Sequence, residues 1–137
     1  MTFVLDASMT MAWVFPDEAS ETTDRLLESL LERQAYAPGL WPIEVANAFL
    51  VATRRRRLEV GEWPLIRRSL EALPIAVDSV SPASVWSAVL ELAHERGISV
   101  YDAMYLELAL RMRLPLATLD GRLAAEAQAV DVEVLSG

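Results

Sequence analysis

The sequence predicts an α/β fold with a mostly parallel sheet of about five short strands and helices on both faces, a three-layer α/β/α arrangement. Three observations predict it. Short apolar runs of β type alternate with stretches of helical periodicity, turn residues separate the two kinds, and acidic residues stand directly after two of the β-like runs. Strands that alternate with helices imply right-handed crossovers and therefore a parallel sheet.

Each element follows from its residues. Phe3-Val4-Leu5 is a short apolar run closed by Asp6, the pattern of a buried parallel strand. Leu26, Leu27, Leu30 and Leu31 recur at helical spacing within a polar stretch from about Glu18 to Gln34, which reads as an amphipathic helix. Pro38-Gly39 and Pro42 mark the next turn, and Pro42 is placed to open a helix running to about Arg57. A further helix is expected over about Glu62–Leu73, then a strand at Ile75-Ala76-Val77. Pro82 opens a helix that should end at a glycine cap, Gly97. The segment from about Val100 to Met112 is apolar nearly all round, so this helix should be central and buried. A strand over Leu114–Leu119, a helix over Gly121–Ala129 and a closing strand over Val132–Leu135 complete the chain.

Length and composition bound the rest. At about 150 residues per domain, 137 residues make one domain spanning 1–137, and 53% hydrophobic with 23% charged residues supports a real core. The net charge of −8 repels nucleic acid and anionic membrane at long range, so an anionic substrate must be met locally. All 12 basic residues are Arg, which excludes a P-loop lysine, a Schiff-base lysine and a lysine general base. Cysteine is absent, which excludes thiol nucleophiles, disulfides and thiolate zinc sites. His94 is the only histidine, so neither a two-histidine acid–base mechanism nor a multi-histidine metal site fits one chain. The first basic residue is Arg25 and no apolar run approaches the ~18 residues of a membrane span, so a cytoplasmic protein without a membrane partner is expected.

What remains is carboxylate, hydroxyl, amide and guanidinium chemistry, and four acids stand in telling places. Asp6 follows the first strand and Asp120 follows Thr118-Leu119. Glu44 lies in the first turn of the helix opened by Pro42, and Asp102 in the first turn of the buried helix. Each has a local reading as well. Asp6 and Asp120 suit N-caps, Ser99 to Asp102 fits a capping box, and Glu44 complements a helix macrodipole. Helix starts that follow strands of a parallel sheet open toward one rim, where the four would converge. Carboxylates gathered within ~4 Å repel by several kcal/mol in total, so a cation is implied. Oxygen-only donors point to Mg²⁺ or Mn²⁺ rather than zinc.

These residues carry a resemblance over essentially the whole chain. Val4-Leu5-Asp6-Ala7-Ser8, then Pro42-Ile43-Glu44 with Asn47, then Tyr101-Asp102-Ala103 with Tyr105-Leu106, then Thr118-Leu119-Asp120 stand in an order that resembles the PIN domain, and more narrowly the VapC-type ribonuclease toxins of type II toxin–antitoxin systems. The resemblance implies metal-dependent cleavage of RNA, with Asp6, Glu44, Asp102 and Asp120 as the acidic quartet. Asp6, Asp102 and Asp120 would be metal ligands, and Glu44 would orient the attacking water or complete the shell. Ser8, Asn47 and Thr118 would stand beside them. It also implies a cognate antitoxin that blocks the site and a homodimer. Leu123 departs from the family, where many relatives carry an aromatic.

Other features are weighed against this. Arg54-Arg55-Arg56-Arg57 complements a helix C-terminus, and Arg54 and Arg55 could also meet RNA phosphates or an acidic segment of a partner. His94 reads as a surface residue, and the four tryptophans as core or interface packing. The apolar run Met9 to Phe15 and the Leu-rich second helix offer apolar surface for a partner to cover. Phosphatases that begin with a strand and Asp need a second Asp where Ser8 stands, and receiver domains need a lysine. The competing readings are a PIN-like module that binds proteins with little catalysis, and a non-toxin nuclease in RNA processing.

Overall fold

The computed structural model describes residues 2–136. Five strands form one sheet: β1 (Phe3–Leu5), β2 (Ala35–Pro38), β3 (Ile75–Asp78), β4 (Leu116–Ala117) and β5 (Val134–Leu135). Their spatial order is β3-β2-β1-β4-β5 and every neighbouring pair is parallel. Helices flank the sheet in three layers, as the alternating pattern predicts. They are α1 (Ala7–Val14), α2 (Glu21–Ser29), α3 (Trp41–Arg54), α4 (Trp63–Glu71), α5 (Pro82–Ser84), α6 (Leu90–Arg96), α7 (Val100–Met112) and α8 (Gly121–Ala129), with a π-helical stretch, Val85–Val89, joining α5 to α6.

β1 is central, and Phe3, Val4 and Leu5 are wholly buried, which is why the run has no polar alternation. β2 was not foreseen. Its sequence, Ala-Tyr-Ala-Pro, has little strand propensity, and its position between β1 and β3 supplies the pairing instead. The expected strand over Leu114–Leu119 shortens to Leu116–Ala117, because Thr118 and Leu119 leave the ladder for a turn. The closing strand shortens likewise, to Val134–Leu135.

The helices hold two corrections. Met9 to Val14 belong to α1, whose Met9, Thr10, Met11 and Ala12 are buried, so this apolar run serves the core rather than a partner. The helix expected from about Glu18 to Gln34 is a 3₁₀ turn, Pro16–Glu18, followed by the shorter α2. Ser20 and Thr23 make a reciprocal capping box that starts α2 at Glu21, and the chain turns after Ser29 to enter β2. Gly97 ends α6 at φ 65°, a left-handed conformation that glycine adopts freely, as the glycine cap predicts. α7 buries Ala103 to Leu106, Leu108 and Ala109 against the core, while Tyr101 and Leu110 face out.

From β1 the chain steps through β2 to β3, then crosses to β4 on the other side of β1. Strand order therefore reverses between β1 and β4, and the carboxyl ends at such a switch point are where open α/β sheets place their ligand crevice. Asp6 and Asp120 follow those two strands.

Candidate active site

Asp6 is fixed first by backbone. Its N–H donates to the Ala117 carbonyl at 3.2 Å, extending the β1–β4 pairing by one residue and setting the side chain at the crevice. The carboxylate caps α1, with Oδ1 accepting from the Met9 N–H at 2.8 Å. The Ser8 hydroxyl lies 2.8 Å from both carboxylate oxygens, and the Thr118 hydroxyl donates to Oδ2. Asp6 is only 4% exposed. Burial pushes its carboxyl up from 3.8 to about 6 against the pull of these hydrogen bonds, and the Asp120 charge adds to the rise.

The same two hydroxyls reach the neighbouring turn. Ser8 Oγ accepts the Leu119 N–H at 2.9 Å, and Thr118 Oγ1 accepts the Asp120 N–H at 3.0 Å. Asp120 then caps α8, its Oδ1 accepting from the Arg122 and Leu123 N–H groups at 2.9 and 3.1 Å. The local readings of Asp6 and Asp120 as N-caps are therefore both correct, and they leave Asp120 Oδ2 uncommitted.

Asp102 sits in the first turn of α7, its N–H donating to the Ser99 hydroxyl at 3.0 Å. The reciprocal half of a capping box is absent, so its carboxylate stays free. Burial raises the Asp102 carboxyl above its ordinary range, the Asp120 charge adds to this, and Arg122 opposes it. Asp120 thus bears on both Asp6 and Asp102.

Glu44 arrives on α3, which a buried relay docks against α1. Trp41 Nε1 donates to Thr10 Oγ1 at 2.9 Å, and Thr10 Oγ1 donates to the Asp6 carbonyl at 2.8 Å. Between Glu44 and Asp6 lies Tyr105, one turn after Asp102 on α7. Burial first, then the approach of its O–H to the Glu44 carboxylate and the charges of Glu44 and Asp6, hold its phenol protonated far above the ordinary tyrosine range. Along the sequence Tyr105 stands in the buried apolar helix and among the residues that carry the family resemblance, with no role of its own. Its spacing of three from Asp102 was the signal that it shares a face with the acids.

The structure thus brings Asp6, Ser8, Thr118 and Asp120 into one hydrogen-bonded unit, with Asp102 in its field and Glu44 reached through Tyr105. Asn47, one turn after Glu44 on α3, is exposed and forms no hydrogen bond among the described residues. Arg54 and Arg55 are exposed at the opposite end of α3, about 15 Å along the axis from Glu44. Arg57 leaves the helix, pairs with Asp17 and Glu18 at 3.1 and 2.8 Å, and lies 4.1 Å over the Phe15 ring. Trp13, Trp41 and Trp63 pack and hydrogen-bond inside, while Trp86 is 75% exposed.

The donor set fits a hard divalent cation: oxygens only, one of them on a buried carboxylate made uncomfortable by burial and by a neighbouring acid. Among the described residues no three acids already stand close enough together to enclose an ion. Asp102 is half-buried with a free carboxylate, which leaves its side chain rotamer freedom that Asp6 lacks, whereas Asp120, though exposed, holds α8 through Oδ1 and offers Oδ2.

Comparison with known proteins adds the lineage. The PIN domain profile matches residues 3–128. The chain belongs to the PIN domain family. This PIN domain is 34% identical over 124 residues to a protein named ribonuclease VapC3 from Pyrobaculum aerophilum, covering 90% of this chain and 93% of that one. It is 36% identical over 98 residues to ribonuclease VapC1 of Mycobacterium tuberculosis, covering 70% of each. Its fold matches the PAE2754 protein of Pyrobaculum aerophilum with a TM-score of 0.72 at 23% identity, over 98% of this chain and 92% of that one. It matches a chain of a toxin–antitoxin complex from Klebsiella pneumoniae with a TM-score of 0.59 at 18% identity, over 90% of each. Leu123, the departure from the family pattern, is a buried core residue of this PIN domain.

Proposed function

We propose that this PIN domain is a metal-dependent endoribonuclease, the toxin of a type II toxin–antitoxin pair, working as one domain over 1–137. The observation that carries the reading is the buried Asp6 carboxylate, fastened by Ser8 and Thr118 at the crevice between β1 and β4 and facing Asp120. The relatives named ribonuclease VapC agree with it.

Asp6, Asp102 and Asp120 would hold Mg²⁺, with Mn²⁺ as a substitute. The bound cation would supply Lewis acidity, lowering the pKa of water and offsetting charge on the phosphate. Asp6 anchors the ligand set, since its own contacts leave it no freedom. Asp120 offers Oδ2 while Oδ1 keeps α8 capped. Glu44 would orient the attacking water or complete the shell around the cation. Ser8 and Thr118 keep Asp6 aimed, and Asn47, on the exposed face of α3, is a candidate contact for RNA. With water as the nucleophile, no protein nucleophile is called for.

An apolar groove of about 750 Å³ between α3 and α4, walled by Trp41, Phe49, Val60, Trp63 and Leu70, supports an antitoxin partner. Trp41 and Pro42 bring one end of it beside Glu44. At the other end Trp63 donates to Thr53, next to the exposed Arg54, Arg55 and Arg56. An antitoxin segment with an apolar face and acidic residues toward those arginines would match it. A homodimer is favoured by a second cleft of about 460 Å³ in which exposed Ile43 and Tyr101 meet Val85, next to exposed Trp86. No helix among the described residues is long and apolar enough to cross a membrane.

The decisive test incubates the partner-free protein with total RNA and isolated tRNA in Mg²⁺ or Mn²⁺, beside EDTA and Asp6→Asn. Discrete cleavage that requires both metal and Asp6 is expected. Absence of cleavage together with no cation binding by calorimetry would leave an interaction module.

A further inference from the structure

Tyr105 carries a group that packing does not explain. The residue is 2% exposed, and its hydroxyl is buried without a hydrogen-bond partner among the described residues. Buried hydroxyls are nearly always paired, because an unpaired one has lost water without replacement. Phenylalanine would fill the same space in α7 with no such penalty. The hydroxyl therefore has a use that is not met in the resting fold.

Its surroundings say what that use is. The Glu44 carboxylate, the Asp6 carboxylate and the Ala7 backbone N–H are the polar groups around it. Asp6 already accepts from Met9, Ser8 and Thr118, and Asp120 already accepts from two backbone N–H groups. Glu44 accepts no hydrogen bond among the described residues. Like the Asp102 carboxylate it accepts no completed hydrogen bond, but Glu44 is the one that the Tyr105 O–H approaches, short of a completed bond in the resting fold.

We propose that Tyr105 is the positioning residue of Glu44: when RNA and the cation occupy the crevice, the phenolic O–H donates to one Glu44 carboxylate oxygen and leaves the other aimed at the attacking water. This rests on the ribonuclease reading. The phenol keeps its proton throughout and takes no part in bond making. The donation deferred to the loaded state trades stability of the empty protein for geometry in the reaction.

The test is a double-mutant cycle on RNA cleavage with Tyr105→Phe and Glu44→Gln, read alongside thermal denaturation of the metal-free proteins. Tyr105→Phe should lower kcat about tenfold or more with KM unchanged, while the melting temperature of the metal-free protein stays equal or rises. In the Glu44→Gln background the same change should have no further effect, because its route of action is gone. A Tyr105→Phe protein of full activity overturns the proposal, as does one that loses stability in step with activity. So does an undiminished loss in the Glu44→Gln background. Wild-type protein that cleaves no RNA overturns the ribonuclease reading and this one together. A wild type that cleaves and an Asp6→Asn variant that does not keep the ribonuclease reading whatever Tyr105→Phe does.

Discussion

The hydroxyls of Ser8 and Thr118 lie 3.4 Å apart, 110 residues apart in sequence, and both hydrogen-bond the Asp6 carboxylate. Each also accepts a backbone N–H from the turn after β4. The two turns that carry Asp6 and Asp120 are therefore one structural unit. The charge repulsion between those acids is borne by a stitched framework rather than by loose loops.

Asp6→Asn is expected to remove metal-dependent RNA cleavage by on the order of 100-fold or more while the fold stays intact. Asparagine caps a helix as well as aspartate does, so α1 keeps its start. Cleavage assays set beside circular dichroism check both halves.

The buried Asp6 also fixes a pH dependence. Its carboxyl moves from 3.8 in the unfolded chain to about 6 in the folded one, so across that window the folded state binds more protons. The contribution of Asp6 to the stability of the metal-free protein should therefore be complete below the lower value and be lost as pH rises through the upper one, by at most on the order of 3 kcal/mol. Asp102, shifted the same way, adds to the slope. Denaturation from about pH 4 to pH 8 should show a shallower fall for Asp6→Asn. Divalent cations compete with the same proton, so their affinity should rise through about pH 6 and level off above it.

Thr118→Val tests the framework. Valine fills the buried space but leaves the Asp120 N–H and one side of Asp6 without a partner. A loss of about 1–3 kcal/mol is expected, read by urea denaturation, with a larger proportional loss of cleavage as the two turns part.

Val60→Asp tests the groove. Val60 lines it and is well exposed, so the fold should tolerate the change. A charge on the apolar wall should weaken antitoxin binding about 10- to 100-fold, with cleavage by the free protein unchanged. Titration calorimetry with the cognate antitoxin measures the first, and the RNA assay the second.

Much of this was legible along the chain because it is local. β1, α7 and the start of α8 follow from an apolar run, an all-round apolar helix and an acid that caps, and each needs only its neighbours in sequence. The order of the four acids carried the family. β2 was not legible, since Ala35 to Pro38 are strand residues only by lying between β1 and β3. Nor was the fate of Arg57, which distant Asp17 and Glu18 draw off the helix end.

The sequence by itself determined which chemistry is open to this protein: oxygen donors after parallel strands, with neither lysine nor cysteine to offer another route. The tertiary structure decided which acid is buried, which is exposed, and that Tyr105 stands between Glu44 and Asp6 with its hydroxyl unpartnered. Burial and hydrogen bonding depend on what distant segments bring within a few ångströms, and spacing along one chain does not encode that distance.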